Sequence, residues 1–271
     1  MLKVYLPKFY QLLEEHLGIT LDESKQYLIE SRLLPIIESS DFDSVLSLIK
    51  YLTQNDIGAL HWKVFELLIT NETSFFRDKH VFDGIKDVLI PKIIKDNQAS
   101  KTIRIWNAAV SSGQEAYSVA MLISEFFPEL RDWKITIHGT DVSRAMLDKA
   151  KAGIYTAHEV NRGIDKFFKD KYFSLDSGGN YLINQPIKEM TTFTLLNLIS
   201  EWSMPEKYDL VMLRNVLIYF NHKTQVSVLD KVTNYIDSNH GALVVGASEI
   251  LPNTNSLVRS NLGGTFYYRP I

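Results

Sequence analysis

Four short segments of this chain carry polar and charged side chains of the kinds that bind ligands or react with them. The first, Asn71-Glu72-Thr73-Ser74-Phe75-Phe76-Arg77-Asp78, has neither the spacing of a helix face nor the alternation of a strand. Binding groups concentrate on loops held by a rigid scaffold, so we interpret the segment as a loop that closes over a ligand. The alternative is a surface turn whose Phe75 and Phe76 fill the core.

Two further segments follow predicted strands. A run of small residues, 107–113, lies between the alternating Ile103–Trp106 and a helical pattern from Glu115. Such a loop lets backbone N–H groups approach a ligand closely. Gly113 is its single glycine, so the loop is not a G-x-G-x-x-G motif. The alternative is a plain turn between strand and helix. Asp141 ends the next strand, where a carboxylate can accept hydrogen bonds from ribose hydroxyls or cap the following helix.

The fourth segment begins directly after the apolar run 208–213. Arg214 and Asn215 stand at its end, and Tyr219 comes one short turn later. A charge next to a buried strand is costly unless it is solvated or paired. Arg214 is therefore either a ligand-binding residue or a structural clamp.

The elements around these segments predict two domains. Residues 1–75 carry apolar residues at helical spacing and no strand pattern, which indicates an all-α domain. Strands alternate with helices through residues 76–271, which favours a parallel α/β sheet with its ligand at the carboxyl ends of the strands. A Gly178-Gly179 turn between apolar runs predicts a small antiparallel insertion at about 166–198.

The composition excludes several classes of function. The 271 residues carry a formal net charge of -3, which does not suit a nucleic-acid binder. The absence of cysteine excludes disulfides and thiolate chemistry, and the seven histidines show no metal-binding spacing. With no signal peptide and no apolar run of membrane-spanning length, we expect a cytoplasmic protein that does not insert into the membrane.

The four segments and a fifth, Gly246–Glu249, taken in order, resemble the CheR-type chemoreceptor glutamate methyltransferases, and the resemblance covers nearly the whole chain. The matches are Asn71–Asp78 to N-x-T-x-F-F-R, Trp106–Tyr117 to W-x-A-x-C-S-x-G-E-E-P-Y, Thr140–Tyr155 to T-D-I-x…A…G-x-Y, Arg214–Phe220 to R-N-V-x-I-Y-F, and Gly246–Glu249 to G-H-S-E. The resemblance implies a Rossmann-like class I methyltransferase sheet with a small antiparallel β insertion, preceded by the all-α domain. It also implies methyl transfer from S-adenosylmethionine, with S-adenosylhomocysteine as product, to glutamate side chains of chemotaxis receptors.

The resemblance further implies a role for each matching residue. Glu115 would hold the amino group of the cofactor, Asp141 would bind its ribose, and Asn197 with Leu198 would lie on the adenine side. Arg77 and Tyr219 would act at the methyl group and the incoming carboxylate. The implied cofactor-binding set is Asn71, Thr73, Arg77, Glu115, Asp141, Asn197, Leu198, Arg214 and Asn215.

Some positions depart from the family pattern. Val110, Gln114, Ala116 and Ala247 replace the usual Cys, Glu, Pro and His. The altered loop at Val110, Gln114 and Ala116 keeps open the alternative of a regulatory module that binds S-adenosylmethionine without catalysis. A second alternative is a methyltransferase of the same fold with another substrate.

The expected partner is the cytoplasmic helical region of chemoreceptors. The family's receptor-facing helix corresponds to the segment with Lys25 and Arg32, which is less basic here than usual, and Pro35 stands near where another cation often lies. The predicted hairpin 173–183 is short. We therefore expect no dependence on a C-terminal pentapeptide tether of the receptor.

Overall fold

The computed structural model describes residues 2–252 and 256–271, except the side chains of Leu2, Lys3 and Glu23. The chain divides into two compact units. The first comprises Met1–Thr70 with Tyr219–Gln225, and the second comprises Asn71–Ile218 with Val226–Ile271. The division lies five residues before the predicted boundary. The return of 219–225 to the first unit was not predicted, because nothing local in that segment indicates it.

Four helices build the first unit, as its apolar spacing predicts. They are α1 (Leu2–Leu17), α2 (Gln26–Glu38), α3 (Val45–Gln54) and α4 (Ala59–Leu68), with a 3-10 turn at Glu23–Lys25. Gly18 ends α1 at φ +73°, a backbone conformation that glycine adopts without strain. The returning segment joins this unit through its backbone, because the Thr20 N–H donates to the Tyr219 carbonyl at 2.9 Å.

The second unit contains the strands and the remaining helices, apart from the start of the last helix, 222–225, which belongs to the first unit. The strands are β1 (Thr102–Ala108), β2 (Lys134–Asp141), β3 (Ile154–Tyr155), β4 (Phe173–Leu175), β5 (Tyr181–Ile183), β6 (Thr191–Leu195), β7 (Leu210–Leu213), β8 (Ala242–Val245), β9 (Leu257–Asn261) and β10 (Phe266–Pro270). The helices are α5 (Lys79–Gly84), which continues through a π-helical turn at Ile85–Leu89 into α6 (Ile90–Asp96), then α7 (Gln114–Phe126), α8 (Arg144–Ala152), α9 (Ala157–Asn161), α10 (Lys166–Tyr172), α11 (Gln185–Glu189) and α12 (His222–Thr233). Within the described residues, no helix has the length and apolar character needed to cross a membrane.

The large sheet has the order β6-β2-β1-β7-β8-β10-β9. The first five strands are parallel, and β10 runs antiparallel to both β8 and β9. Every residue of β7 and β8 is buried, as parallel strands covered on both faces require. Parallel strands bring their carboxyl ends to one edge, so the segments after β1, β2, β6 and β7 meet there.

The predicted antiparallel insertion is present with different bounds. Its sheet has the order β3-β5-β4, and the Asp176 carboxylate closes the hairpin by accepting from the N–H groups of Gly178 and Asn180, both at 2.8 Å. The predicted range 166–198 is therefore wrong in two respects. Thr191–Leu195 pairs in parallel with β2 in the large sheet, and Ile154–Tyr155 joins the small sheet from outside the range. A two-residue strand carries too little alternation to be seen in the sequence.

His138 on β2 makes the stability of the sheet depend on pH. Its ring nitrogens lie 2.8 Å from Tyr208 Oη and 2.6 Å from Thr194 Oγ1, and burial lowers the pKa of the imidazole below its ordinary value of 6.5. The folded state therefore binds the proton less readily than the unfolded chain. We expect the free energy of unfolding to decrease as pH falls below about 6.5. Urea unfolding between pH 5 and 8 measures this, and a His138→Gln variant with an equally steep decrease would contradict it.

Candidate active site at the carboxyl edge of the sheet

The loop after β1 has a strained backbone. Ala109 and Ser111 have φ of +59° and +52°, and Gly113 has φ of +89° just before α7. The left-handed region is disfavoured for residues other than glycine, and such conformations concentrate at functional sites. The loop is tied to β2, since the Val110 N–H donates to the Thr140 carbonyl at 2.8 Å. It is therefore a fixed structure rather than a loose turn.

Asp141 joins this loop to the turn that follows β2. Its Oδ2 accepts from the Ser111 N–H at 2.7 Å and its Oδ1 from the Ser143 N–H at 2.9 Å. The residue is buried. The cap of α8 is Ser143, whose hydroxyl accepts from the Met146 N–H, so the capping alternative for Asp141 is wrong. Asp141 instead holds two strand ends in place with its carboxylate at the ligand edge.

Arg214 is a buried cation at the end of β7. Its Nη1 donates to Glu115 Oε2 at 2.6 Å, and its Nη2 donates to Asp78 Oδ2 at 2.8 Å and to the Arg77 carbonyl at 2.9 Å. Its side chain is only 1% exposed. The guanidinium also lies over the Phe82 ring, 5.6 Å from the centroid. Arg214 therefore links the segment 71–78, the start of α7 and the end of β7.

The segment 71–78 is a loop, and its two phenylalanines differ in burial. Phe75 is fully buried and packs edge-on against Tyr155 at 5.0 Å between centroids, as the core-filling alternative predicted. Phe76 is partly buried, and its N–H donates to Ser118 Oγ at 2.9 Å. The Asn71 carbonyl accepts from Ser111 Oγ at 2.9 Å. The loop thus packs on the β1–α7 connection and on the small sheet.

The remaining cofactor-binding candidates of this unit lie at the same edge. Asn197 and Leu198 follow β6, where the Leu196 N–H donates to the Asp141 carbonyl at 2.9 Å. Asn215 follows Arg214, and its N–H donates to Glu249 Oε2 at 2.7 Å. Thr73 is half-buried in the loop 71–78. Their roles toward a cofactor stay predictions.

Arg77 and Tyr219, the predicted catalytic pair, fall in different units. Arg77 is half-buried, and its Nη1 donates to the Glu72 carbonyl at 2.9 Å, so its guanidinium is held within its own loop. The Glu72 carboxylate is in turn ion-paired with Arg162. Tyr219 lies in a 3-10 turn, Leu217–Tyr219, and belongs to the helical unit. The catalytic roles of both residues stay predictions.

Three residues of the site were not among the sequence candidates. Asn107 is fully buried on β1 and donates to Glu115 Oε1 at 2.9 Å, Asp78 pairs with Arg214, and Glu249 binds two backbone N–H groups. The available signal for Asn107 was a polar residue among the apolar residues Ile105, Trp106 and Ala108. Asp78 and Glu249 lie within the quoted segments, but no local pattern indicated that Asp78 bonds Arg214 or that Glu249 bonds the Asn215 N–H, because Arg214 and Asn215 are more than thirty residues away in sequence.

The site fits a ligand that carries both an ammonium and a carboxylate group. Within the described residues, three buried atoms at this edge have no hydrogen-bond partner, namely Asn107 Oδ1, Arg214 Nε and Glu249 Oε1. Asn107 Oδ1 is an acceptor on the residue that holds Glu115, which suits an ammonium group, and Arg214 Nε is a donor, which suits a carboxylate. A buried unpaired polar atom is costly, and ligand groups of these two kinds would satisfy Asn107 Oδ1 and Arg214 Nε.

The positions that depart from the family pattern are compatible with an intact site. Val110 and Ala116 are buried in the core cluster of the second unit. Gln114 is buried, and its Oε1 accepts from Ser112 Oγ at 2.7 Å. Ala247 is exposed. The altered side chains therefore pack or are solvated, and Glu115 keeps its two partners beside them.

The large sheet is mainly parallel, with the order β6-β2-β1-β7-β8-β10-β9, and acidic residues lie at the end of β2 and after β1. This arrangement defines the class as Rossmann-like methyltransferases. Residues 71–267 match the family model described as "CheR methyltransferase, SAM binding domain", and residues 6–69 match "CheR methyltransferase, all-alpha domain". The chain therefore belongs to the CheR methyltransferase family. It is an enzyme whose cofactor is S-adenosylmethionine.

Relatives with curated descriptions match along nearly their whole length. "Chemotaxis protein methyltransferase 1" of Pseudomonas aeruginosa is 37% identical over 248 residues, which cover 90% of this chain and 89% of the relative. "Chemotaxis protein methyltransferase Cher2" of Pseudomonas putida is 35% identical over 247 residues, with coverage of 90% and 89%. "Chemotaxis protein methyltransferase" of Borreliella burgdorferi is 31% identical over 256 residues, with coverage of 93% and 90%.

Removal of the buried cation should destabilise the protein strongly. An Arg214→Met variant leaves Glu115 and Asp78 without their cation, and breaking a buried ion pair costs about 3–5 kcal/mol of unfolding free energy. Arg104→Met is the matched control, because Arg104 pairs with Glu206 at the surface, where an ion pair contributes about 0–1 kcal/mol. Denaturant unfolding measures both variants. Equal stability of the two would show that Arg214 does not organise this edge.

Proposed function

We propose that this protein transfers a methyl group from S-adenosylmethionine to glutamate side chains in the cytoplasmic helical region of chemotaxis receptors. The products would be glutamate methyl esters and S-adenosylhomocysteine, and the reaction would serve adaptation in chemotactic signalling. Support comes from the family, from relatives described as chemotaxis protein methyltransferases, and from the charged centre of Arg214, Glu115 and Asp141. The single observation that carries the proposal is this centre at the carboxyl ends of three neighbouring strands.

Each part of the cofactor would meet a matching group of the chain. Asp141 would accept hydrogen bonds from the ribose, and Glu115 with Asn107 would hold the amino group. Arg214 and Asn215 would bind the methionine end, while the half-buried Asn197 and the buried Leu198 would contact the adenine. The loop residues Asn71, Thr73 and Arg77 would close the site. When bound, the cofactor supplies an electrophilic methyl group on a positively charged sulfur.

The acceptor carboxylate makes a general base unnecessary. A glutamate side chain has a pKa of about 4.3 and is ionised at neutral pH. The enzyme must therefore position the carboxylate in line with the methyl group and remove part of its hydration. Arg77 would steer the carboxylate, and Tyr219 would orient it through a hydrogen bond. A guanidinium already held by the Glu72 carbonyl suits this task, because tight capture of the ground state would slow the reaction.

Receptor docking by the helical unit would depend little on charge. Arg32 Nη1 donates to the Leu68 carbonyl at 2.7 Å and its Nη2 lies 3.3 Å from Thr70 Oγ1, so its charge is partly satisfied within the unit. The exposed face of α2 instead presents Tyr27 and Leu34, which are 63% and 51% exposed. We propose that α2 contacts a receptor helix mainly through these apolar groups and that the reaction takes place in the cytoplasm.

Cofactor binding should depend on Asp141. An Asp141→Ala variant removes the proposed ribose acceptor and should weaken binding of S-adenosylhomocysteine by about 2–3 kcal/mol, since bonds to charged groups have this magnitude. Asp148→Ala, an exposed residue on α8, is the matched control. Titration calorimetry measures the three affinities. Equal affinity of wild type and Asp141→Ala would remove Asp141 from the cofactor site, and absence of wild-type binding would favour the non-catalytic alternative.

A pentapeptide tether should not be required. The β4–β5 connection, 176–180, is a tight turn closed by Asp176 and offers no extended loop to grip a peptide. Methylation of a receptor fragment should proceed at the same rate with and without its C-terminal pentapeptide. Binding of that peptide to the enzyme at micromolar concentration, measured by calorimetry, would overturn this expectation.

A further inference from the structure

Glu249 is a buried acidic residue that has no role in the assignments above. It follows β8, and its Oε2 accepts from the N–H groups of Asn215 and Gly246, both at 2.7 Å. Its Oε1 is buried and has no partner within residues 2–252 and 256–271. A carboxylate with one oxygen unpaired is a poor stabiliser of a fold. The two bonds at Oε2 indicate that its role is to order the ends of β7 and β8.

Asn215, one of the two residues that Glu249 holds, has an unfavourable backbone conformation. Its φ is +57°, a region that residues with a side chain rarely adopt and that Asn tolerates better than most. Such a conformation persists when the surrounding structure enforces it. The short bond from its N–H to a carboxylate is charge-assisted and therefore strong. This bond sets the direction in which the Asn215 side chain leaves the strand end.

Gly246 provides the space in which the two side chains meet. A Cβ added at this position would lie 2.6 Å from Asn215 Nδ2 and 2.7 Å from Glu249 Oε2, closer than real Cβ contacts allow. The Asn215 amide and the Glu249 carboxylate therefore converge over the glycine. Asn215 directly follows Arg214 in sequence, so this arrangement lies at the end of β7, next to the residue that bonds Glu115 and Asp78.

We propose that Glu249 is a positioning residue for cofactor binding, which acts by holding the Asn215 side chain in its binding orientation. The proposal rests on the proposed role of Asn215 at the methionine end of the cofactor. It does not depend on which receptor is the substrate. Glu249 itself is not required to touch the cofactor.

The test is a double-mutant cycle on the affinity for S-adenosylhomocysteine. Glu249→Ala should weaken binding about tenfold or more, and Glu249→Gln should weaken it less, because the amide oxygen still accepts but carries no charge. Asn215→Ala should also weaken binding. The double variant Glu249→Ala/Asn215→Ala should bind within about twofold of Asn215→Ala alone, since residues that act through one another are not additive. Ser248→Ala, an exposed position in the same turn, should bind like wild type.

Each other outcome has a distinct meaning. Wild-type affinity of Glu249→Ala, or losses that multiply in the double variant, would overturn the positioning role. Wild-type affinity of Asn215→Ala would overturn it too, and would remove Asn215 from the cofactor site. If Glu249→Ala does not fold, judged by circular dichroism, the cycle is run with Glu249→Gln. Binding by the wild-type protein tests the cofactor site separately, so failure of the positioning role does not count against the proposed function.

Discussion

The buried guanidinium of Arg214 is the interaction on which the candidate site depends. One cation, only 1% exposed, bonds two carboxylates and a backbone carbonyl that come from separate parts of the second unit. The Arg214 side chain is shielded from water, so its attraction to these groups is strong, and loss of the cation would leave Glu115 and Asp78 without their partner. The positions of Glu115 and of the loop 71–78 therefore follow from one residue at the end of β7.

Backbone strain is concentrated around this centre. Among the described residues other than glycine, those with positive φ are Phe76, Asp78, Lys101, Ala109, Ser111 and Asn215. All except Lys101 lie in the loop 71–78, in the loop after β1 or at the end of β7. Conformations that cost free energy persist where neighbouring bonds enforce them, and here the carboxylates of Asp141 and Glu249 bond directly to strained backbone. These two acidic residues thus shape the edge that we assign to the cofactor.

Local patterns in the sequence predicted the features that depend on neighbouring residues. Alternation in β1 and β2, the apolar run of β7 and the Gly178-Gly179 turn each indicate the correct element. The resemblance to the CheR-type family placed candidates at the carboxyl ends of four adjacent strands. Their order in the sheet explains why Asp141, Glu115 and Arg214 lie on one edge although they are far apart in sequence.

Features that depend on distant partners could not be predicted. Asp78 and Glu249 lie in segments that resemble the family, but their bonds to Arg214 and to the Asn215 N–H are formed only by the fold. The strand Ile154–Tyr155 exists because β5 pairs with it, and the segment 219–225 returns to the helical unit through a backbone bond to Thr20. In each case tertiary contacts decide the structure, and the local sequence is compatible with several alternatives.

The most direct test of the account is a crystal structure of the protein with S-adenosylhomocysteine. The amino group of the ligand should lie within hydrogen-bonding distance of Asn107 Oδ1 and Glu115, and the ribose hydroxyls should lie at Asp141. Arg214 should keep its bonds to Glu115 and Asp78, with the carboxylate of the ligand near its Nε. A ligand bound elsewhere, or an Arg214 side chain that leaves both carboxylates, would contradict the central role of this buried charge.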